Sequence, residues 1–508
     1  MSGGGDAMAE PSLPPTLVIR TPEGMRSERS YVLSVIFGAW LGLAYRHLPE
    51  RRSGTLVHGA WNVGGVDRTQ PSGPTLALPD TFFGLATRHW REPRSLPLAV
   101  ADAQTPRPRL AAWDTRELAR IEALVDPTVP VIYGDLEPRL GVAADASLRL
   151  PVDIFGCAFF MLSRYEETVV EHRDEHERFP SCASTASLAG FLDRPIVDEY
   201  VEILWAAMQR LWPGLRRTPR RSRTMVSCDV DVPFLQPPSV WRVGRQVAAD
   251  LVKRRSPRAA LQTALAAYAE RRAKDDPDRA AIDWIMESNE AAGNQVAFYF
   301  IPLNSDPQFD QCVSLDEPRM RALLREVHAR GHEIGVHPGY GTFRHAARFA
   351  ESVAAMRRVM DEEGIRQGAL GGRQHFLRWE TPTTARLWEA NALDYDSTLT
   401  FADHAGFRCG TCREYPLFDL AERRALRVRE RPLVVMESTV IAERYMNLGY
   451  TDEALDLMQR LRERCHRLGG DFTLLWHNSH FRHPQDQVFY RALIDGPGGR
   501  PRSGPERP

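Results

Sequence analysis

From residue 295 onward, short apolar runs alternate with stretches of helical periodicity. QVAFYFI (295–301) is β-branched and aromatic and predicts a strand. A helix is expected next, over 317–330. The pattern repeats with a strand at HEIGVH (332–337), a helix over 344–362, a strand over 372–377 and a helix over 382–391. It continues with strands at LDYDSTL (393–399) and 433–436, a helix over 452–467 and a closing strand FTLLWHN (472–478). Strands that alternate with helices predict a parallel sheet or barrel.

Upstream the pattern is less regular. Residues 225–228 form an apolar run that predicts a buried strand, followed by a polar, helical insertion to about 292 with helices over 258–273 and 279–292. Over 25–215 a separate α/β region is expected, with a strand at VPVIYG (129–134) and amphipathic helices over 152–167 and 197–211. The most apolar stretch, YVLSVIFGAWLGLAY (31–45), predicts a buried strand or helix and is too short to span a bilayer comfortably. The connector RRTPRRSRT (216–224) reads as a solvated basic linker, with phosphate or headgroup binding as the less favoured use. The expected organisation is a disordered terminus (1–20), an α/β N-terminal domain (25–215), a second α/β domain (220–492) and a disordered tail (495–508).

Composition narrows the classes. With 508 residues the chain has room for several domains, and a hydrophobic fraction of 43% is ordinary for a globular protein. A formal net charge of −1 draws the whole protein to neither nucleic acid nor an anionic membrane. The seven cysteines are odd in number and scattered, so reduced thiols and a cytoplasmic setting are expected rather than a disulfide framework. Cys409 and Cys412 form a CxxC, but no second pair completes a structural zinc site, and they read as structural thiols. A Gly-rich phosphate loop and a GxSxG elbow are both missing.

Candidate chemistry lies at the carboxyl ends of the predicted strands, where parallel α/β folds meet ligands. SCDVDVP (227–233) places Asp229 and Asp231 on one face, a costly pair unless a cation or a shared proton offsets the repulsion. Later strand ends supply His337, then Arg373 and His375, then His477 and Asn478. His332 precedes His337 by five positions, an odd separation that puts the two on opposite strand faces. His337 is therefore expected at the site and His332 in a structural role.

In this order SCDVDVP, GHEIGVHPGYGTF, GGRQHFLRW and TLLWHN resemble the motifs of the polysaccharide deacetylase group (NodB homology, carbohydrate esterase family 4). The resemblance covers 220–492 and is to a divergent branch with an appended N-terminal domain. It implies a distorted (β/α) barrel of the NodB-homology type, preceded by a separate α/β domain. It also implies Asp229 as general base, Asp231 and His337 as ligands of a divalent metal, usually zinc, Arg373 as the residue orienting the base, and His477 as general acid. His375 and Asn478 are expected to contact substrate. Two departures stand out. Gly341 occupies the position of the family's second histidine ligand, leaving His345, His375 and His404 as alternatives, and RQHF replaces the proline-containing third motif.

The implied function is metal-dependent hydrolysis of C–N amide bonds, N-deacetylation of an intracellular glycan precursor or other N-acetylated sugar. Two alternatives stand beside it. One is a non-catalytic carbohydrate-binding descendant of the fold; the other is a pathway scaffold with polysaccharide-biosynthesis partners.

Overall fold

The computed structural model describes residues 16–60, 73–97, 110–235, 240–252, 254–272 and 276–495. The chain divides into two compact units. The first is Met1–Arg223 with Phe376–Thr473, and the second is Thr224–His375 with Leu474–Pro508.

The second unit is α/β with parallel strands. Strand Val296–Phe300 pairs in parallel with Arg223–Val230 on one side and Glu333–Val336 on the other, and Glu333–Val336 continues to Gly371–Gly372. Strand Asp471–Leu475 flanks Arg223–Val230 on its far side. All five positions of Val296–Phe300 are buried, as expected for a strand with neighbours on both edges and covered faces. The helices Pro318–Ala329 and Ala346–Glu362 bury single stripes, Met320, Leu323, Leu324 and Val327 in one and Phe349, Val353, Met356 and Met360 in the other. Helix Pro277–Ala292 starts where Asp276 accepts from the amides of Asp278 and Arg279, and it stops at Gly293, whose φ is 77°. Close strand approach explains Gly372: a Cβ there would lie 1.8 Å from the Val336 carbonyl oxygen.

Most predicted elements in this unit are found, shortened at their ends. The strand expected over 372–377 is only Gly371–Gly372, because the chain turns at His375–Leu377. Two helices were not foreseen. Val240–Val252 lies in the insertion, and Pro484–Ile494 follows the last strand, opened by a capping box between His483 and Asp486 and burying Phe489, Tyr490 and Leu493.

The first unit contains a six-stranded mixed sheet. Its order is Tyr45–Glu50, Thr16–Pro22, Thr55–Ala60, Thr75–Leu78, Leu148–Arg149, Gly141–Val142. Strand Thr16–Pro22 begins inside the stretch expected to be disordered; Leu17, Val18 and Ile19 are buried, and this three-residue run is too short for composition to reveal. Of residues 31–45, those up to Trp40 are helical, Arg26–Leu33 running on into wider π-helical turns over Ser34–Trp40, and Tyr45 opens the next strand. The helix expected to be amphipathic over 152–167 is Ile154–Leu162, with every residue buried. Its polar neighbours lie beyond the helix in the turn Tyr165–Thr168, so the two together imitate one amphipathic period. Helix Ile196–Leu211 is as predicted. The antiparallel hairpin Tyr415–Asp419/Arg424–Glu430 was missed, its second strand carrying four charged residues in seven, with Arg424 and Arg427 exposed and Glu430 buried.

The seven cysteines are free, and Cys409 and Cys412 are buried. Among the described residues no helix is long and apolar enough to cross a membrane. The tail expected to be disordered lies outside the described residues from 496 on.

Candidate metal centre

The site is built at the carboxyl ends of three parallel strands of the second unit, the first separated from the other two by Val296–Phe300. Arg223–Val230 carries Asp229 within the strand and releases Asp231 just beyond it. Glu333–Val336 ends one residue before His337, whose amide is held by the Phe300 carbonyl at 2.8 Å. Gly371–Gly372 is followed at once by Arg373 and His375, whose amides bond to the carbonyls of Val336 and Pro338 at 3.1 Å each. The short glycine strand thus lets Arg373 and His375, two positions apart, leave the sheet close together.

These side chains converge. His337 Nε2 lies 3.4 Å from Asp231 Oδ1 and 3.7 Å from Asp229 Oδ2. His375 Nε2 lies 3.6 Å from the same Asp231 oxygen, and the two imidazole rings are 4.9 Å apart. One ligand atom each from Asp231, His337 and His375 falls within 4.8 Å of the others. His477 Nε2 stands 3.9 Å from Asp231 Oδ2, with the His480 ring 4.8 Å from its own.

The hydrogen bonds around the cluster fix which nitrogen each histidine offers. His337 Nδ1 faces the Arg373 carbonyl at 2.6 Å; a carbonyl only accepts, so Nδ1 carries the proton and Nε2 presents its lone pair to the cluster. His375 Nδ1 is 2.8 Å from Asp310 Oδ1 and donates to it, which turns its Nε2 inward in the same way. His337 Nε2 and Asp231 Oδ1 are buried with no hydrogen-bond partner. Two inward imidazole lone pairs and a carboxylate oxygen, buried and close, are the donor set a divalent cation takes.

The electrostatics agree. Burial would raise the Asp231 carboxyl, but the imidazoles of His375, His337 and His477 outweigh it and bring it well below the usual range. Burial would lower His337, yet the carboxylates of Asp229 and Asp231 reverse this and hold its proton more tightly than usual. The pair of carboxylates therefore demands a positive charge, supplied here by a proton and equally by a metal.

Arg373 is fully buried, donates from Nη1 to Asp229 Oδ1 at 2.6 Å and from Nη2 to Ser227 Oγ at 3.0 Å, and lies 5.1 Å from the Tyr299 ring centre. It fixes the Asp229 carboxylate from the side away from His337. Asn478 turns its amide to the carbonyls of Val232 and Asp278, at 2.8 and 3.2 Å, tying the loop after Asp231 in place. His332 sits at the other end of its strand, accepting from the Val296 amide at 3.2 Å.

Among the alternatives to the histidine missing at Gly341, the structure brings His375 into the cluster. His345 is an exposed residue at the start of helix Ala346–Glu362, and His404 belongs to the first unit. Gly341 instead packs in a loop where its amide donates to Ser305 Oγ at 2.8 Å, and a Cβ there would lie 3.3 Å from the Ser305 carbonyl.

Asp310 was not singled out by sequence, lying in the loop residues FDQC (309–312) without a motif. It accepts from Ser305 N at 2.7 Å, Ser305 Oγ at 2.6 Å, Asp306 N at 2.9 Å and Tyr340 N at 2.8 Å, besides His375. Burial would raise its carboxyl, but these donors, His375 foremost, bring it down to about 2. Beside it, the rings of Phe309 and Tyr340 stack 4.2 Å apart and remain half-buried.

Residues 17–213 match a family of unknown function, DUF7033. No curated protein matches the chain. Among solved structures, a protein assigned as a polysaccharide deacetylase from Mycobacterium smegmatis is similar at 13% identity and a TM-score of 0.32, over 55% of this chain and 84% of that one. The Puue allantoinase is similar at 17% identity and a TM-score of 0.29, over 43% of this chain and 66% of that one. At these scores neither likeness bears on activity, which has to be reasoned from the geometry of the site.

Proposed function

We propose that the protein is a metal-dependent hydrolase of C–N amide bonds that removes the acetyl group from an N-acetylated sugar or glycan precursor. The observation that carries this reading is the joint arrangement of two histidines, each with its proton fixed on Nδ1, around one buried Asp231 oxygen, beside an Asp229 held by a buried arginine. The motif resemblance over 220–492 adds a NodB-type barrel as the architecture of the parallel strands.

Asp231, His337 and His375 would hold the cation, and zinc suits their mixed nitrogen and oxygen donors. Such an ion supplies Lewis-acid polarisation of the amide carbonyl and eases deprotonation of water at the site. The remaining work falls to the chain. Asp229, aimed by Arg373, accepts the proton of the attacking water as oxygen bonds to the carbonyl carbon. His477 donates a proton to the amine nitrogen as the C–N bond breaks, leaving acetate and a free amine. Phe309 and Tyr340, stacked next to Asp310, offer an apolar face on which a sugar ring can rest.

Acetate release from N-acetylhexosamine conjugates tests the proposal. Wild-type protein loaded with zinc should release acetate, and Asp229→Asn should lose nearly all of it while retaining metal. Equal release by the two proteins refutes the assigned base, and no release from any N-acetylated conjugate refutes the activity.

A further inference from the structure

The first unit holds a cavity of about 290 Å³ whose wall includes Trp40, Glu202, Arg217, Arg220, Arg413 and Arg467. Two of these arginines come from the connector 216–224, which is mostly exposed as its composition suggests but leaves Arg217 and Arg220 half-buried at the cavity. The Thr218 amide donates to the Leu41 carbonyl at 2.9 Å, and this pins Arg217 and Arg220 at the cavity wall. Arg413 comes from the segment after Cys412 and is buried, its guanidinium 5.6 Å from the Trp40 ring centre.

Basic side chains near a helix end have an ordinary use, satisfying carbonyls and neighbouring acids. Part of this cluster does that. Arg217 Nη1 donates to Glu202 Oε1 at 2.7 Å, Arg413 Nε lies 2.7 Å from Asp198 Oδ1, and Arg413 Nη2 donates to the Leu468 carbonyl at 2.8 Å. Arg220 and Arg467 are different. Among the described residues neither has a carboxylate within ion-pair distance, and Arg467 makes only a 3.4 Å bond to the Leu124 carbonyl. Four guanidiniums thus share two carboxylates, an excess of two positive charges around a partly open cavity. Burial first, and then the like charge of Arg413, draws the Arg220 guanidinium down from its usual range, and an anion in the cavity would relieve both.

We infer that this cavity binds a small molecule bearing a phosphate or diphosphate group, engaged by Arg220, Arg413 and Arg467. A phosphate dianion matches the charge excess, and guanidinium forks suit its oxygens better than they suit chloride or a lone carboxylate. The volume sits at the lower end of small-molecule sites, roughly 300 Å³ and upward, so the group enters with a short appendage and not as part of a folded polymer.

Calorimetric titration of the full chain with inorganic pyrophosphate and with a nucleoside diphosphate tests this. Vesicles containing phosphatidic acid serve as the arm that distinguishes a lipid headgroup from a soluble phosphate. Saturable binding is expected from at least one probe, weakened about tenfold or more by Arg220→Ala, restored in part by Arg220→Lys, and reduced by added salt. Competition between vesicles and pyrophosphate assigns the headgroup; binding of the soluble probes alone assigns a free phosphate compound. Arg467→Ala, at an exposed position, repeats the test should Arg220→Ala disturb folding. No saturable binding of any probe up to about 10 mM, or affinity unchanged in both alanine variants with an unaltered melting profile, overturns the inference.

Discussion

Replacing Asp310 by asparagine probes the metal centre through a residue that does not itself reach the cation. The carboxylate is buried and both its oxygens are in use. Oδ1 accepts from His375 Nδ1 and the Tyr340 amide, and Oδ2 accepts from Ser305 N, Ser305 Oγ and the Asp306 amide. Asparagine has one acceptor oxygen and one donor group of nearly the same shape, so it serves only one side. Aimed at the Ser305 loop, the amide oxygen keeps three bonds, and the NH2 faces His375. His375 must then carry its proton on Nε2, the nitrogen needed as a ligand. Loss of a carboxylate behind a ligating histidine typically weakens metal binding about 10- to 100-fold, or about 1.4 to 2.7 kcal/mol. Aimed the other way, the oxygen keeps His375, and two loop amides meet an NH2 group; each buried unpaired donor costs roughly 1–3 kcal/mol of stability. Three bonds outweigh two, so the first outcome is expected. Competition with a chromophoric chelator gives the zinc affinity, and calorimetry gives the apo Tm. Weakened affinity, with an apo Tm lowered only as far as the one unpaired Tyr340 amide accounts for, supports the positioning role. Unchanged affinity in Asp310→Asn refutes the claim that Asp310 sets the histidine's orientation.

The same geometry sets further expectations. His375→Ala should reduce bound zinc to well below one per chain, and adding a histidine in Gly341→His should not restore it; metal analysis after gel filtration decides both. Tyr340→Ala should raise KM for an N-acetylated sugar about tenfold with a smaller change in kcat, since the ring offers area and not chemistry; a fall in kcat alone would contradict this. In the first unit, burial would raise the Glu167 carboxyl, but Arg408 and Arg164 outweigh it and bring it to about 2. An acid whose pKa is depressed in the folded state gives stability that is full above its ordinary value near 4.5 and is lost as pH falls toward 2. The Tm of Glu167→Gln should therefore depend less steeply on pH between about 5 and 2 than the wild-type Tm.

What could be read from sequence depended on whether the signal was local. The strand at 295–301 and the helices over 317–330 and 452–467 carry their own periodicity, and the structure has them at Val296–Phe300, Pro318–Ala329 and Asp452–Arg467. Asp229 and Asp231 were placed together by strand alternation, and His337 and His375 join them because parallel strands end at one level. The support of the site was not readable. Asp310 lies in a loop with no periodic pattern, and only the fold brings it to His375. Ile154–Leu162 looked amphipathic because polar residues follow it closely, whereas burial on all sides is a tertiary fact. The connector at 216–224 is largely solvated, as its composition suggests, but composition does not show that Arg217 and Arg220 share a cavity wall with Arg413 and Trp40.

X-ray absorption at the zinc edge, on full-length protein reconstituted with one equivalent of zinc, tests the central claim most directly. Two imidazole nitrogens and at least one carboxylate oxygen at about 2.0–2.2 Å are predicted, with one imidazole lost in His375→Ala. A coordination sphere without histidine, or one that is the same in wild type and His375→Ala, would contradict the account.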